Sequence, residues 1–266
     1  MDRLKLPQDL KKLSFRQLEA LCAEIRSALI HTVSKTGGHL SSNLGVVELT
    51  VALHKTFDAP KDQIVWDVGH QSYTHKILTG RKNKMNTLRQ KGGLSGFPKP
   101  AESIYDAFIA GHSSTSISVA AGLARAKSLK AEPGFTIAVI GDGAFTGGMA
   151  YEALNNAGHY KDRIIIVLND NDMSIAENHG GLYKNLKELR ASNGTCECNL
   201  FKAMGLDYVY VNDGNNLESL IDTFKKVKDI DHPIVVHINT EKGKGYKLAE
   251  EHKEEWHYCA PFDVET

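Results

Sequence analysis

The chain has 266 residues, of which 41% are hydrophobic and 24% are charged, and its 32 basic side chains balance its 32 acidic ones. This composition is typical of a folded globular protein and excludes disordered and collagen-like chains. Because the formal net charge is zero, no bulk field attracts nucleic acid or an anionic membrane, and we expect neither as a partner.

Hydropathy and cysteine content indicate the compartment. The longest apolar stretches, residues 136–140 and 164–168, have the length of strands and fall far short of the ~20 residues of a membrane helix. We also expect no signal peptide. The four cysteines form neither a CxxC pair nor a disulfide framework. These features predict a cytoplasmic protein with reduced thiols.

The N-terminal region is predicted to be helical. Residues 10–34 carry apolar side chains at helical spacing, with Ser14 as the N-cap. A glycine-rich loop at residues 37–43 breaks this pattern, and a second amphipathic helix starts near Asn43. A short strand at residues 64–68 then brings His70 to its carboxyl end, where open α/β sheets bind ligands.

The rest of the chain alternates strands and helices. Residues 91–114 are rich in Gly, Pro and Ser and predict a long loop, of a kind that is often functional. The remaining predicted elements, in order, are a helix at 116–129, a βαβ unit (strand 136–140, turn 141–148, helix 149–158, strand 164–168), a polar loop at 174–197, a helix at 200–204, a strand at 208–211, a helix at 217–227 and a strand at 234–238. We find no internal repeat or composition shift, so we predict an α/β fold in one domain, residues 1–266, with three layers and a mostly parallel sheet.

Polar side chains follow both strands of the βαβ unit. Asp142 and Asn171 should approach each other, because neighbouring parallel strands present their carboxyl ends at one edge of a sheet. One oxygen from each can bind a hard cation such as Mg²⁺ or Ca²⁺. Gly141 and Gly143 let backbone N–H groups approach a phosphate at the start of the next helix. The pattern predicts a metal-bridged diphosphate site.

A Rossmann dinucleotide turn has a similar outline, since Asp170 follows the second strand. The glycines at 141, 143 and 147 are, however, spaced one residue wider than in GxGxxG. Asp142 would also repel a pyrophosphate unless a cation lay between them. The spacing therefore favours the metal-diphosphate site over the Rossmann turn.

At this point the motifs are recognisable. Gly-Asp-Gly at 141–143 followed by Asn-Asp-Asn at 169–171 resembles the thiamine diphosphate motif of the transketolase-like enzymes. Seven blocks in family order resemble the 1-deoxy-D-xylulose-5-phosphate synthase family, at residues 37–45, 67–71, 75–80, 89–94, 111–116, 171–175 and 242–246. The resemblance implies the thiamine diphosphate-binding, transketolase-like fold.

The resemblance also implies roles for individual residues. The implied Mg²⁺ ligands are Asp142, Asn171 and the backbone carbonyl of Met173. The implied contacts of thiamine diphosphate are His70, Gly111, His112, Ser113, Gly143, Ala144, Asn171 and Tyr246. Three histidines are implied to lie over the thiazolium and the substrate, where they assist proton transfer: His39, His70 and His257.

The implied reaction joins pyruvate to glyceraldehyde 3-phosphate, releases CO₂ and yields 1-deoxy-D-xylulose 5-phosphate, a precursor of isoprenoids, thiamine and pyridoxal. In this family the cofactor is the electron sink. An N-terminal subunit of a split transketolase and a non-catalytic cofactor-binding homologue are the alternatives. The blocks at 67–71 and 89–94 favour the synthase.

The sequence departs from the family in three ways. The family's pyrimidine-binding C-terminal half, with its activating glutamate, is absent from this sequence. Because the cofactor lies between the two halves, we expect an inactive chain that requires a C-terminal half or subunit, in an oligomer. The segment at residues 177–199 is shorter than the corresponding segment in typical members. Asn215 stands where the family usually has histidine. A natural split subunit and a piece of a longer protein both fit this pattern.

Overall fold

The structure is a computed structural model that describes residues 1, 4–176 and 178–264. Its strands are β1 (Gln63–Trp66), β2 (Thr136–Gly141), β3 (Ile164–Asp170), β4 (Asp207–Val211) and β5 (Ile234–Asn239). Its α-helices are α1 (Phe15–Thr36), α2 (Ser41–Leu44), α3 (Val47–Thr56), α4 (Tyr73–Lys76), α5 (Ser116–Lys130), α6 (Gly148–Tyr160), α7 (Gly181–Ala191), α8 (Leu200–Ala203), α9 (Leu217–Val227) and α10 (Lys247–Glu251). Shorter helical turns occur at Gln8–Lys12, Ile77–Arg81, Lys82–Thr87 and Ala144–Thr146.

The five described strands form one sheet in the order β1-β2-β3-β5-β4. Every pair in this sheet is parallel. The predicted βαβ unit is confirmed, because β2 and β3 pair in parallel with α6 between them. All seven residues of β3 are buried, as its continuous apolar run predicts for a strand covered on both faces.

Helices cover both faces of the sheet, so the predicted three-layer α/β fold is confirmed. Side chains alternate between the faces along each strand. On β2, Ile137 and Val139 join a core with α1, α3 and α9. Ala138 and Ile140 join a second core, on the opposite face, with α5, α6 and α7. In the described residues, no helix is both long and apolar enough to cross a membrane.

The N-terminal helices begin close to the residues predicted from the sequence. Helix α1 begins after Ser14, as predicted, and the Gln17 side chain accepts a hydrogen bond from the Ser14 backbone N–H at 2.8 Å. This is half of a capping box. The helix predicted to start near Asn43 is divided into α2 and α3.

The prediction of a polar loop at residues 174–197 is wrong for the central part of this segment, where the structure has helix α7. Helix α7 is mostly polar but buries Tyr183, Leu186 and Leu189, spaced at three-residue intervals, against the second core. Such a narrow apolar stripe is enough for a surface helix. Glu177, at the start of the segment predicted to be short, lies outside the described residues.

The long loop predicted before α5 is confirmed. Residues 88–115, all of which the structure describes, form neither helix nor strand. The loop packs closely against the end of β1, since a Cβ built on Gly69 would lie 2.4 Å from the Cδ of Pro98. This contact brings the loop beside His70.

Candidate functional site

A pocket of about 470 Å³ opens at the carboxyl edge of β1, β2 and β3. The segments that follow these three strands form most of its wall, and the loop before α5 contributes Ser113 and Ser114. Residues distant in sequence, His39, Lys242 and His257, complete it. This is the edge at which parallel α/β sheets bind ligands.

Asp142 and Asn171 both line this pocket, together with Met173, as the sheet register requires. Gly141 pairs with Asn169 across β2 and β3, so the residues after both strands are neighbours. The Asp142 carboxylate is buried and accepts hydrogen bonds from the Gly143 N–H (3.0 Å) and the Asn178 amide (2.8 Å). Burial, and next the charge of Asp170, raise the pKa of Asp142 well above its ordinary value.

Asp170 has different partners from Asp142. Its carboxylate contacts the His237 imidazole at 2.8 Å and pairs with the Arg190 guanidinium, which α7 supplies. Its other oxygen accepts the backbone N–H of Asp172. Because Asp170 is fully buried and is not part of the pocket lining, it is a buried support for the edge of β3. It is unavailable for the ribose contact that a Rossmann turn requires.

The three histidines of the predicted site form one cluster, the histidine triad (His39, His70 and His257). Their ring centroids are separated by 5.1 Å (His39–His70), 5.4 Å (His39–His257) and 5.4 Å (His70–His257). The Nδ1 atoms of His39 and His70 are buried without a hydrogen-bond partner in the described structure. All three rings line the pocket.

The triad histidines are neutral near pH 7. Burial, followed by His257 and Arg89, lowers the pKa of His39 to about 3. Burial, followed by Lys242, lowers the pKa of His257 to about 4. Burial also lowers the pKa of His70 well below its ordinary value. No three His, Cys, Asp or Glu side chains in the described residues are arranged to hold a metal ion.

The other predicted cofactor contacts fall into two groups. Ser113, Gly143 and Ala144 line the pocket. Gly111 and His112 are exposed on the loop just before Ser113 and are not part of the lining. Tyr246 is also outside the lining; its ring packs against Trp256 and Phe262, and its buried hydroxyl has no hydrogen-bond partner among the described residues.

Lys242 is a pocket residue that the sequence did not single out, although it lies in one of the recognised blocks. It is buried, and its Nζ donates to the Ser174 carbonyl at 2.6 Å. Burial lowers its pKa to about 8. Asn215 supports the same segment, since its amide donates to the Gly45 carbonyl and its Oδ1 accepts from the Glu241 N–H. Asparagine is thus accommodated at this position.

Solved structures with the same fold include transketolases. The transketolase of Campylobacter jejuni matches 94% of this chain and 41% of its own, with a TM-score of 0.78 at 20% identity. That of Leishmania mexicana matches 86% of this chain and 37% of its own, with a TM-score of 0.72 at 22% identity. The chain therefore has the transketolase-like α/β fold.

Sequence comparison narrows this assignment. The family model described as 1-deoxy-D-xylulose-5-phosphate synthase matches residues 1–199 and 190–240. The chain belongs to the 1-deoxy-D-xylulose-5-phosphate synthase family. Synthases of this name from Geobacter sulfurreducens (48% identical, covering 100% of this chain and 47% of the relative) and Clostridium botulinum (49% identical, 98% and 48%) are among its relatives.

The relatives are longer than this chain in two respects. The chain spans about half the length of the relatives it matches. The alignment with the Geobacter synthase also extends over 302 positions, against 266 residues here, so that relative has residues that this chain lacks. The two family matches overlap at residues 190–199, inside the segment predicted to be short.

Proposed function

We propose that this chain binds the diphosphate of thiamine diphosphate through Mg²⁺ and supplies one half of a 1-deoxy-D-xylulose-5-phosphate synthase active site. One observation carries the proposal: Asp142 and Asn171 line the same pocket as three neutral histidines. An anion-binding end and a proton-transfer end are thereby combined in one cavity.

The pocket residues fit a metal-bound diphosphate. The hydrogen-bond donors to Asp142, the Gly143 N–H and the Asn178 amide, are neutral, so a cation would compensate this buried carboxylate. A Cβ built on Gly141 would meet no atom within 4 Å, which leaves room for a ligand beside the backbone. Mg²⁺ takes few protein ligands and completes its shell with phosphate oxygens and water. Asp142, Asn171 and the Met173 carbonyl are such a set.

The chain's own residues have distinct tasks in this proposal. Neutral His39 and His70 present buried Nδ1 atoms that have no hydrogen-bond partner in the part of the chain that the structure describes and that can accept or donate a proton at the pocket wall. His257 is oriented by its Nδ1, 3.4 Å from the Ser42 hydroxyl. Lys242, held by the Ser174 carbonyl, places positive charge near the diphosphate end. When bound, thiamine diphosphate supplies the electron sink for decarboxylation and carbon–carbon bond formation.

Sequence similarity supports the proposed choice of substrates. Relatives named as synthases are about twice as similar in sequence as the transketolases, at 48% identity against 20%. We therefore propose pyruvate and glyceraldehyde 3-phosphate as substrates, in preference to the ketose phosphates of a split transketolase. Because Asp142 and Asn171 are both present and face the pocket, the proposal also favours a working site over a non-catalytic homologue.

Replacing Asp142 tests the metal-diphosphate site. For Asp142→Ala we expect Mg²⁺-dependent affinity for thiamine diphosphate to fall at least ~100-fold, about 2.7 kcal/mol, because the main charged ligand is lost. Isothermal titration calorimetry with and without Mg²⁺ measures this change.

A remote carboxylate provides the matched control. Asp207 is exposed at the amino end of β4, and Asp207→Ala should bind the cofactor like the unsubstituted chain. Equal affinities for Asp142→Ala and the unsubstituted chain would reject the metal assignment. If the unsubstituted chain shows no Mg²⁺-dependent binding either alone or together with a C-terminal half from a relative, the cofactor assignment itself is wrong.

A further inference from the structure

One buried amide lies between the two loops that carry His39 and His70. Asn43, in α2, is fully buried, and its Nδ2 donates to the backbone carbonyl oxygens of both histidines, at 2.7 Å each. Its Oδ1 accepts the backbone N–H of Tyr73 at 2.8 Å. An Asn amide offers two N–H donors and one carbonyl oxygen. Both donors and the acceptor of Asn43 are therefore used.

We propose that Asn43 is a positioning residue that sets the separation of the His39 and His70 rings by cross-linking the backbones that carry them. The catalytic importance of this separation rests on the function proposed above. The cross-link itself does not depend on that function, because it is defined by protein contacts alone.

Tyr73 closes the cross-link into a ring of hydrogen bonds. Its hydroxyl accepts the backbone N–H of His39 at 3.3 Å, while its own N–H donates to Asn43. The Tyr73 hydroxyl approaches the chain so closely that a Cβ built on Gly38 would lie 2.9 Å from it. The loop after α1, the loop after β1 and the start of α4 are thus joined at one buried point.

The hydrogen bonds made at position 43 require an amide side chain. Asp at position 43 would direct an acceptor oxygen at two carbonyl oxygens, which repel it. Leu would fill a similar volume but would leave the His39 carbonyl, the His70 carbonyl and the Tyr73 N–H without this partner. A buried polar group that loses its partner costs about 1–3 kcal/mol. Movement of either loop toward a new partner would relieve this cost and would displace the attached ring.

Ring separation matters for the proposed chemistry. The His39 and His70 centroids are 5.1 Å apart, and both rings face the same pocket. A misplacement of about 1 Å in a reacting group can lower an enzymatic rate by about 100-fold. Residues that hold catalytic side chains within about 0.5 Å are consequently part of the site's design.

Nuclear Overhauser contacts between imidazole protons test the cross-link directly. In the unsubstituted chain we expect a contact between the His39 and His70 rings, with the resonances assigned from His39→Gln and His70→Gln. In Asn43→Asp we expect this contact to be lost. An unchanged His39–His70 contact in folded Asn43→Asp would overturn the inference.

A second histidine pair is an internal reference. The buried His54 and His75 rings also stack with centroids 5.1 Å apart, outside the residues that line the pocket. Loss of positioning alone should leave the His54–His75 contact intact, whereas general loosening of the fold should weaken both contacts. Weakening of both to the same extent would assign Asn43 a merely structural role.

Asn199→Asp is the matched control for placing a carboxylate at a buried asparagine. The Asn199 Oδ1 accepts two backbone N–H groups at the start of α8, and its Nδ2 has no partner in the described structure. Asp can accept the same hydrogen bonds. This variant should therefore retain the His39–His70 contact.

A milder variant is decisive if Asn43→Asp does not fold. Asn43→Ser removes the cross-link with a small, uncharged side chain, and we expect it to weaken the His39–His70 contact while the His54–His75 contact persists. An unchanged His39–His70 contact in this variant would also overturn the inference. Calorimetry on the unsubstituted chain, as above, tests the proposed function separately, since the ring contacts do not require bound cofactor.

Discussion

His39 and His257 have pKa values of about 3 and about 4, while an unfolded histidine titrates near 6.5. As the pH falls below about 6.5, the unfolded chain therefore binds protons that the folded chain does not. Binding these protons stabilises the unfolded state. The contribution of these histidines to folding stability is therefore complete above pH 6.5 and is lost progressively toward pH 4. We expect the free energy of unfolding, measured in urea between pH 7.5 and 4.5, to fall in this direction.

Single substitutions isolate the contribution of the histidine triad. His39→Gln should make the free energy of unfolding less dependent on pH, because one such group is removed. His232 is the contrasting control: the hydrogen bonds that it donates to Asp231 and Asp207 raise its pKa, so its contribution is present at low pH and is lost as the pH rises. His232→Gln should thus leave the acid loss in place. An unchanged slope in His39→Gln would contradict the protonation state inferred here.

Asp106 is the centre of a buried polar network outside the pocket. Its carboxylate accepts two hydrogen bonds from Arg81, one from His75 and one from the Lys99 N–H. Burial alone would raise the pKa of Asp106, but the hydrogen bonds from His75 and Arg81 outweigh burial and hold it below its ordinary value. The network fastens the long loop before α5 to the segment that follows α4.

Removing this charge should be costly. Asp106→Asn leaves the buried Arg81 guanidinium without its main counterion, a change that costs about 3–5 kcal/mol in buried pairs. Urea unfolding at pH 7 measures the loss, with the exposed Asp222→Asn as the control. A difference below about 1 kcal/mol would show that the network does not stabilise the fold.

At the scale of elements, hydrophobic pattern identified most of the structure. Strand β3 and helix α9 were predictable because continuous or periodic apolar residues mark them. Helix α7 was not predictable, because its apolar stripe is narrow and the surrounding residues are mostly glycine, polar or charged. Its identity as a helix depends on packing against the second core, which local pattern does not report.

The candidate site was also predictable from the sequence only in part. The approach of Asp142 and Asn171 follows from parallel pairing and was predictable from the residues alone. The strand before His70 predicted that this residue lies at the ligand-binding edge, but the grouping of all three histidines came only from the family resemblance, because His257 reaches the pocket from the far end of the chain. The task of Asn43 could not be predicted, since its three partners come from two loops and a helix that meet only in the folded chain.

Helix α7 provides a test of packing at this scale. Leu186 is fully buried against the second core, and Leu186→Ala should lower the free energy of unfolding by about 2–5 kcal/mol through lost burial and a cavity. Lys187→Ala, one residue away on the exposed side, should change it by no more than about 0.5 kcal/mol. Equal effects of the two variants would indicate that α7 is not packed as described.

At the scale of the whole molecule, the pocket lies at the carboxyl edge of a single sheet. The sheet edge and its loops supply the candidate metal ligands and the histidine triad, while the matched relatives are about twice as long as this chain. Cofactor sites commonly bury 70–90% of a ligand's surface, and they occur preferentially between domains. The proposed cofactor would therefore need a second wall, from a C-terminal half or subunit.

This requirement predicts that the purified chain does not produce 1-deoxy-D-xylulose 5-phosphate from pyruvate and glyceraldehyde 3-phosphate, even with Mg²⁺ and thiamine diphosphate. Addition of a separately purified C-terminal half from a relative such as the Geobacter synthase should restore turnover, because it would enclose the cofactor and exclude water. The Asp142→Ala chain with the same half is the control and should remain inactive. Steady-state product formation by the chain alone would show that one wall is sufficient and would refute the division of the site proposed here.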